Sequence, residues 1–331
     1  MICRMDNSGL GNLTWELARH LQPEKILLIE NGVFQTFPER YAEFNTRTVG
    51  KARSISIEEQ NWLTTDVDII ISAETFYSGD IPNIAKQRGV KTALITMFEM
   101  SPERFSYKPD MFICPSLLDF DTMPDPKVLL PTAIATDRLP WKERKTASVF
   151  VHNASHGGMN KRKGTPLLIE AMRHVKNKDI KVIINSWFPI TCKDSRVEIR
   201  MRNYKNYWQM WQEGDVLIYP QDYNGICLPV MEAFASGMGV ITTDIYPFNT
   251  YLPERLMFKH KGLYKTRASN GLMEVDAARI DPVDLAAKID EIAGTDITEE
   301  SHAGKRWANA HSWGALLPRY KKVLEEICAR K

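Results

Sequence analysis

Short β-branched runs alternate with amphipathic stretches along most of this chain. "KILLIE" (25–30), "VDIIIS" (67–72), "KTALIT" (91–96) and "MFICPS" (111–116) have the near-continuous apolar character of buried strands in a parallel sheet. Between them "TWELARHL" and "IPNIAKQRG" carry apolar residues at helical spacing, the second closed by Gly89 at its C-terminus. A charged, Pro-containing linker, "LLPTAIATDRLPWKERKT", interrupts the pattern, which then restarts. "SVFVHNA", "IKVIINS", "DVLIYP" and "GVITTD" are the strands of the second series. "TPLLIEAMRHV" (Thr165 as N-cap, Pro166 in the first turn), "YKNYWQMWQEG" and "PVMEAFASG" are the helices between them. "DPVDLAAKIDEIAG" and "HSWGALLPRYKKVLEEICARK" close the chain as helices. The alternation predicts an α/β protein of two Rossmann-like domains, 1–140 and 141–310, followed by a last helix over 311–331. Two sets of strand C-terminal ends then face a central cleft, and ligands of open α/β sheets bind at such ends.

Composition mainly excludes. The 331 residues are 44% hydrophobic and 25% charged, which argues against a disordered or fibrous chain. No apolar run approaches the roughly 18 residues of a membrane span. "MICRMDNSGLGN" lacks the apolar core of a signal peptide, so a cytoplasmic protein, monomeric or weakly dimeric, is expected. Cys3, Cys114, Cys192, Cys227 and Cys328 form no C-x-x-C pair and have no His at ligand spacing, so free thiols and no metal site are expected. Charge is lopsided: residues 1–140 hold 14 Lys and Arg against 19 Asp and Glu, residues 141–215 hold 15 against 7. Solvated helix faces and an anion-binding surface both account for that excess.

Three segments could carry chemistry. In "MDNSGLGNLTWELARHL" a loop, Ser8-Gly9-Leu10-Gly11, joins the first strand to the first helix, and glycines there let backbone N–H groups approach an anion at the helix N-terminus. It lacks the third glycine of a dinucleotide fingerprint, and a simple tight turn fits it equally. "HNASHGGMNKRKGTPLLIEAM" sets Gly157, Gly158, Lys161, Arg162, Lys163 and Gly164 just before a helix, which suits a diphosphate, the alternative being an exposed basic loop. "NGICLPVMEAFASG" places Pro229 in a first helical turn, Gly237 at its C′ position and a single acid, Glu232, within the first two turns. Glu232 either complements the helix dipole or accepts hydrogen bonds from the two hydroxyls of a ribose.

Taken in order, these segments resemble the retaining glycosyltransferases of the GT-B fold, in particular the large family 4. "KRKGTPLLIEAM" looks like the family's lysine-glycine segment. "YWQMWQEGDVLIYPQDYNGICLPVMEAFASGMGVITTD" is similar to its longest signature, "HSWGALLPRYKKVLEEI" to its final helix packing back on the first domain, and "GLGNLTWELARHL" to its N-terminal loop and helix. The likeness covers most of 148–331 and is thinner before that. It implies transfer of a hexose or pentose from a nucleoside-diphosphate sugar, with a UDP-sugar as the expected donor, retention of configuration, no divalent ion and no permanently bound cofactor. By the resemblance Lys163 contacts the donor diphosphate and Glu232 the donor ribose. Backbone amides of Gly225, Ile226, Cys227 and Leu228 face the sugar and phosphate, and Gly9 and Gly11 lie near the diphosphate from the opposite domain.

Two positions depart from the family. Gly157 stands where an Arg is usual, with Arg162 or Lys161 as substitutes. Asn224 stands where the first Glu of the Glu-x7-Glu motif touches the donor sugar; the amide keeps hydrogen-bonding capacity and loses the charge, so an altered donor preference is expected. On the acceptor side, Glu74 and Glu99 each follow a strand and could orient or deprotonate a hydroxyl, or merely cap the next helix; Asp6 is a third candidate. The first domain and "RMDNSGLG" also look like glycosyltransferases of bacteriophage genomes, which makes a hydroxymethylated pyrimidine in DNA one expected acceptor beside a glycan or small molecule. Rival readings are a non-catalytic sugar-nucleotide or nucleic-acid binding protein, and a phosphorylase or epimerase on the same frame.

Overall fold

The apolar runs of the first third form strands in the computed structural model, which describes residues 1–50, 54–98, 108–155, 161–201, 204, 206–268 and 274–330. β1 (Ile2–Arg4), β2 (Ile26–Ile29) and β3 (Thr46–Val49) pair in parallel, and so do β4 (Ile69–Ala73), β5 (Lys91–Ile95), β6 (Met111–Cys114) and β7 (Lys127–Leu129). β1 lies beside β4 without a hydrogen-bonded ladder between them, so the two sheets abut in the spatial order β3-β2-β1-β4-β5-β6-β7. Chain direction across the sheet reverses between β1 and β4, and a crevice opens past the strand ends at such a switch point. Helices α1 (Gly9–Leu21), α2 (Ile57–Leu63), α3 (Asp80–Gln87) and α4 (Leu117–Thr122) connect the strands. Ile2, Leu27, Ile70, Phe76, Leu94 and Phe112 form the core, each 0–1% exposed.

The second series repeats that order. β8 (Val149–Ser155), β9 (Lys181–Ser186), β10 (Val197–Met201), β11 (Val216–Tyr219), β12 (Gly239–Thr243) and β13 (Met257–Phe258) make one parallel sheet, β10-β9-β8-β11-β12-β13, with its switch point between β8 and β11. α5 (Thr165–Ala171), α6 (Leu228–Ala235), α7 (Pro282–Ile292) and α8 (Thr298–His311) accompany it, with an antiparallel hairpin, β14 (Leu263–Arg267) and β15 (Glu274–Ala278). Gly304 of α8 sits against α6 so closely that a Cβ there would lie 2.0 Å from the Phe234 carbonyl oxygen.

The chain divides into the units Met1–Ala133 with Trp313–Lys331, and Ile134–Ser312. The division falls at 133 rather than 140 because Ile134 already bridges to Ser312 and donates its N–H to the His311 carbonyl. α9 (Trp313–Ala329) belongs to the first unit: Trp313 stacks on His20 of α1 at 4.4 Å, and the Tyr320 hydroxyl donates to the Pro131 carbonyl.

Several local expectations change. The closing helix of 311–331 is α9, Trp313–Ala329, which starts two residues later than expected because Ser312 takes an extended conformation after α8. Of the described residues of "YKNYWQMWQEG", Tyr207–Gln212 are helical, and those as a 3₁₀ turn. Gly9, Leu10 and Gly11 are not a loop: α1 starts at Gly9, with Ser8 as N-cap accepting from the Gly11 N–H. Gly164, in the left-handed region at φ 71°, is the N-cap of α5, and Thr165 is its first residue. Gly237, at φ 89°, does follow α6.

Candidate active site

The second sheet brings two loops together at its switch point. Past β8 come Lys163 and Gly164; past β11 come Pro220 to Asn224. A Cβ on Gly164 would lie 2.2 Å from the Pro220 carbonyl oxygen, so the absence of a side chain lets the α5 N-terminus press against the end of β11. Beneath this contact is His152, fully buried in β8, with Nδ1 2.8 Å from the Ile218 carbonyl and Nε2 2.7 Å from the Thr165 hydroxyl. Burial pushes its pKa down to about 4, the Ile218 carbonyl opposing and the Lys163 charge assisting. The ring is therefore neutral, Nδ1–H donating to Ile218 and Nε2 accepting from Thr165.

Lys163 donates from Nζ to the Ala154 carbonyl at 3.2 Å and pairs with no carboxylate among the described residues. Burial, then the neighbouring Arg162, draw its pKa down to about 8. The Arg162 guanidinium lies 5.3 Å over the Tyr223 ring. Two cations converge here where a helix begins, an arrangement that favours an anionic ligand.

α6 supplies the other wall. Glu232 is 8% exposed and accepts from the Trp211 indole N–H at 3.0 Å. Trp211 is held in turn by Arg144, which donates to the carbonyls of Trp211, Gly214, Ser236 and Lys142 and is 2% exposed. Asn224 acts on the helix itself: its Oδ1 accepts from the Cys227 N–H at 3.1 Å, and its Nδ2 donates to Gln221 Oε1 at 2.7 Å. Gly225, Ile226 and Cys227 are buried, Cys227 in the left-handed region at φ 49° as the N-cap of α6, and Leu228 opens the helix half-buried.

The first sheet's switch point is built differently. Arg4, at the end of β1, donates from Nε to Asp6 Oδ2 at 2.6 Å; both residues are buried. Asp6 Oδ1 accepts from the Ser8 N–H, and a Cβ on Gly11 would lie 2.0 Å from the Asp6 carbonyl oxygen. Gly11 thus permits α1 to close on the end of β1, and its N–H goes to Ser8 Oγ. Past β4, Glu74 and Tyr77 both hold left-handed backbone, φ 64° and 60°, a conformation that costs a non-glycine residue about 1 kcal/mol or more. Burial pushes the Tyr77 phenol up, Arg4 pulling the other way and Glu74 adding to the rise.

Likeness to known proteins decides the class. The model of the family described as "Glycosyl transferases group 1" matches residues 152–291. The whole chain is similar in structure to a glycosyltransferase of Rickettsia africae ESF-5, at TM-score 0.70 and 14% identity over 100% of this chain and 98% of that one. It is similar also to Anabaena Alr3699/HepE, solved in complex with UDP and glucose, at TM-score 0.68 and 13% identity over 98% and 99%. The sucrose-phosphate synthase of Thermosynechococcus elongatus follows at TM-score 0.63 and 14% identity over 97% and 92%. No curated protein matches the chain in sequence. The chain has the GT-B fold, and its residues 152–291 match the group 1 glycosyltransferase family.

Arg162, Lys163, Asn224 to Leu228 and Glu232 all belong to the second unit, around the β8–β11 switch point and α6. Gly9, Gly11, Glu74 and Asp6 gather at the switch point of the first. Glu99, Gly157 and Gly158 lie outside the described residues. No three His, Cys, Asp or Glu side chains among the described residues converge as metal ligands. A cavity of about 720 Å³ in the first unit, lined by Met1, Lys25, Asp66 and Arg88 among others, is at the opposite, N-terminal edge of the sheet. Its cations are committed to the protein: Lys25 donates to the Trp62 and Thr65 carbonyls, and Arg88 to Asn61, Thr64 and Thr65. The sequence pattern marks neither Arg144 nor Trp211 as part of a site. Trp211 is core at 1% exposure, and its indole also fixes Glu232. No local pattern marks Arg144, whose four carbonyl partners come from distant parts of the chain.

Proposed function

We propose that the chain transfers a hexose or pentose from a UDP-sugar to an acceptor hydroxyl, with retention of configuration and without a divalent ion or resident cofactor. The carrying observation is Lys163: a half-buried ammonium without a carboxylate partner among the described residues, beside Arg162 and a helix start, at a switch point. A UDP-linked donor is supported by the UDP and glucose found on the Anabaena relative; retention and metal independence rest on the resemblance to family 4. In the reaction the bond from the anomeric carbon to the diphosphate oxygen breaks, its electron pair leaving on that oxygen. The acceptor hydroxyl oxygen bonds the anomeric carbon, and its proton passes to the departing diphosphate. Lys163 and Arg162 offset the charge that develops there, and preorganised charge of this kind is usually the main source of rate enhancement in such a site. Glu232, oriented by Trp211, accepts from the donor ribose hydroxyls.

We assign the acceptor to the first unit, with Glu74 as the group that orients its hydroxyl. Asp6 is committed to Arg4, whereas Glu74 stands in strained backbone past β4, and strain of that kind clusters at functional sites. A glycan or small molecule suits this unit better than DNA. Five of the 15 cations of residues 141–215 are occupied: Arg144 and Arg196 donate to main-chain carbonyls, Arg200 pairs with Glu198 and Glu213, Lys181 with Glu198 and Arg173 with Glu170. Phosphate-backbone binding needs cations free to release counterions. The test is release of UDP from UDP-sugars by purified protein. Wild type should turn over at least one donor, and Lys163→Ala and Glu232→Ala should each lower turnover by about 10²-fold or more; undiminished turnover in both variants would refute the assignment.

A further inference from the structure

Asn224 occupies the position where a donor-sugar ligand is expected, yet its amide is engaged by its own loop. Oδ1 holds the Cys227 N–H and Nδ2 holds Gln221, in a side chain 7% exposed. Asn224 therefore shapes the start of α6. The same loop carries a second polar side chain in the opposite state. Asp222, half-buried, has a carboxylate oxygen, Oδ1, that is shielded from solvent and has no hydrogen-bond partner among the described residues. Buried carboxylate oxygens without partners are rare and costly, and each one calls for an explanation.

The main chain of Asp222 is fixed from behind. The Ala278 N–H, at the end of the β14–β15 hairpin, donates to the Asp222 carbonyl at 2.8 Å, and Gly164 packs on Pro220 two residues earlier. The loop is thus clamped between the hairpin and the Lys163 segment. Burial pushes the Asp222 carboxyl up, opposed by the backbone N–H groups of Asp222 and Tyr223 and then by the Arg162 charge; the Arg162 guanidinium covers the adjacent Tyr223. A rigid carboxylate with an oxygen to spare, beside a diphosphate-binding cation, is equipped to accept hydrogens from a ligand.

We propose that Asp222 is the sugar-reading residue of the donor site, accepting from a hydroxyl or amino group of the transferred sugar. It rests on the donor-site reading above and specifies the sugar's chemistry: a neutral or amino sugar is accepted, and a uronic acid, which would set carboxylate against carboxylate, is rejected. The loop has moved the charge two residues upstream of Asn224 and uses the amide for capping.

Calorimetric titration tests this with UDP, UDP-glucose, UDP-galactose, UDP-N-acetylglucosamine and UDP-glucuronate. Wild type should bind at least one neutral donor more tightly than UDP, and UDP-glucuronate no more tightly than UDP. Asp222→Asn, which keeps the shape, should weaken that neutral donor about tenfold, the loss of a hydrogen bond to a charged group. Affinity for UDP should change less than about twofold, because Asp222 does not touch the nucleotide in this account. Equal weakening of UDP and UDP-sugar would make Asp222 a mere loop brace and overturn the proposal, as would an unchanged UDP-sugar affinity. Wild type that binds none of the five overturns the donor-site reading itself.

Discussion

At the switch point of the second sheet, Lys163 has a carbonyl for company and no carboxylate among the described residues. At the switch point of the first, in a sheet of the same strand order, Arg4 is locked to Asp6 with both residues buried. The two sheets share topology, glycine-mediated close packing and a helix starting just past the first strand. They differ in whether charge is neutralised by the fold or left for something else to neutralise. Topology places the crevice; unneutralised charge says what the crevice takes. The first unit, with its cation internally paired and Glu74 nearby, suits an uncharged hydroxyl-bearing acceptor, and the second suits a diphosphate.

The largest effect that sharpens this contrast is on rate. Lys163→Ala should reduce transfer by about 10²–10³-fold, the usual cost of removing one preorganised group that stabilises developing charge. Its melting temperature should change little, because the ammonium makes one hydrogen bond to the protein; a steady-state assay beside a thermal melt checks both. Arg144→Met is the reverse case, a buried cation of the same unit that serves architecture. Leaving four carbonyls unsatisfied should cost about 3 kcal/mol or more in a denaturant titration.

A paired glycine experiment comes next. Gly164→Ala and Gly11→Ala each force a Cβ onto a carbonyl oxygen, 2.2 and 2.0 Å away, and each should lower the melting temperature. Only Gly164→Ala should also weaken UDP, since it prises apart the two loops of the donor site, and equal weakening in both would erase the distinction between the units.

Two pH effects are smaller. Lys163 carries its charge below about 8 and loses it above. UDP affinity should therefore be flat on the acid side and fall as pH rises through 8, a limb that calorimetry should find absent in Lys163→Ala. His152 titrates near 4 in the folded protein, against an ordinary 6.5. The unfolded chain takes up that proton first, so stability is full above about 6.5 and is lost as pH falls toward 4. The loss is about 3 kcal/mol in all, and His152→Gln should flatten that part of the stability curve.

Much of the second unit was legible in sequence because its signals are local. Apolar strand runs, Pro229 in the first turn of α6, Gly237 after its end and the Lys163-Gly164 step all declare themselves within a few residues. The misses have physical reasons. α8, "TEESHAGKRWANAH", has a polar sequence and buries only a narrow stripe, so its periodicity is faint. Gly9 and Gly11 read as loop because glycine is a poor helix former, whereas the Ser8 cap and, at Gly11, the close contact with Asp6 outweigh that preference. Asn224 was legible as a departure from a motif, but its role as a cap was not, because hydrogen bonds to Cys227 and Gln221 depend on how the loop folds. The physical reason that Glu74 stands ahead of Asp6, the buried Arg4–Asp6 pair, is a tertiary contact that no local pattern shows.

The most direct test of the contrast between the two switch points is calorimetric titration of UDP into wild type, Lys163→Ala and Glu74→Gln. Wild type should bind in the micromolar range, Lys163→Ala at least about tenfold more weakly and Glu74→Gln as tightly as wild type. Loss of UDP affinity in Glu74→Gln with full affinity in Lys163→Ala would contradict the assignment of the diphosphate to the second unit.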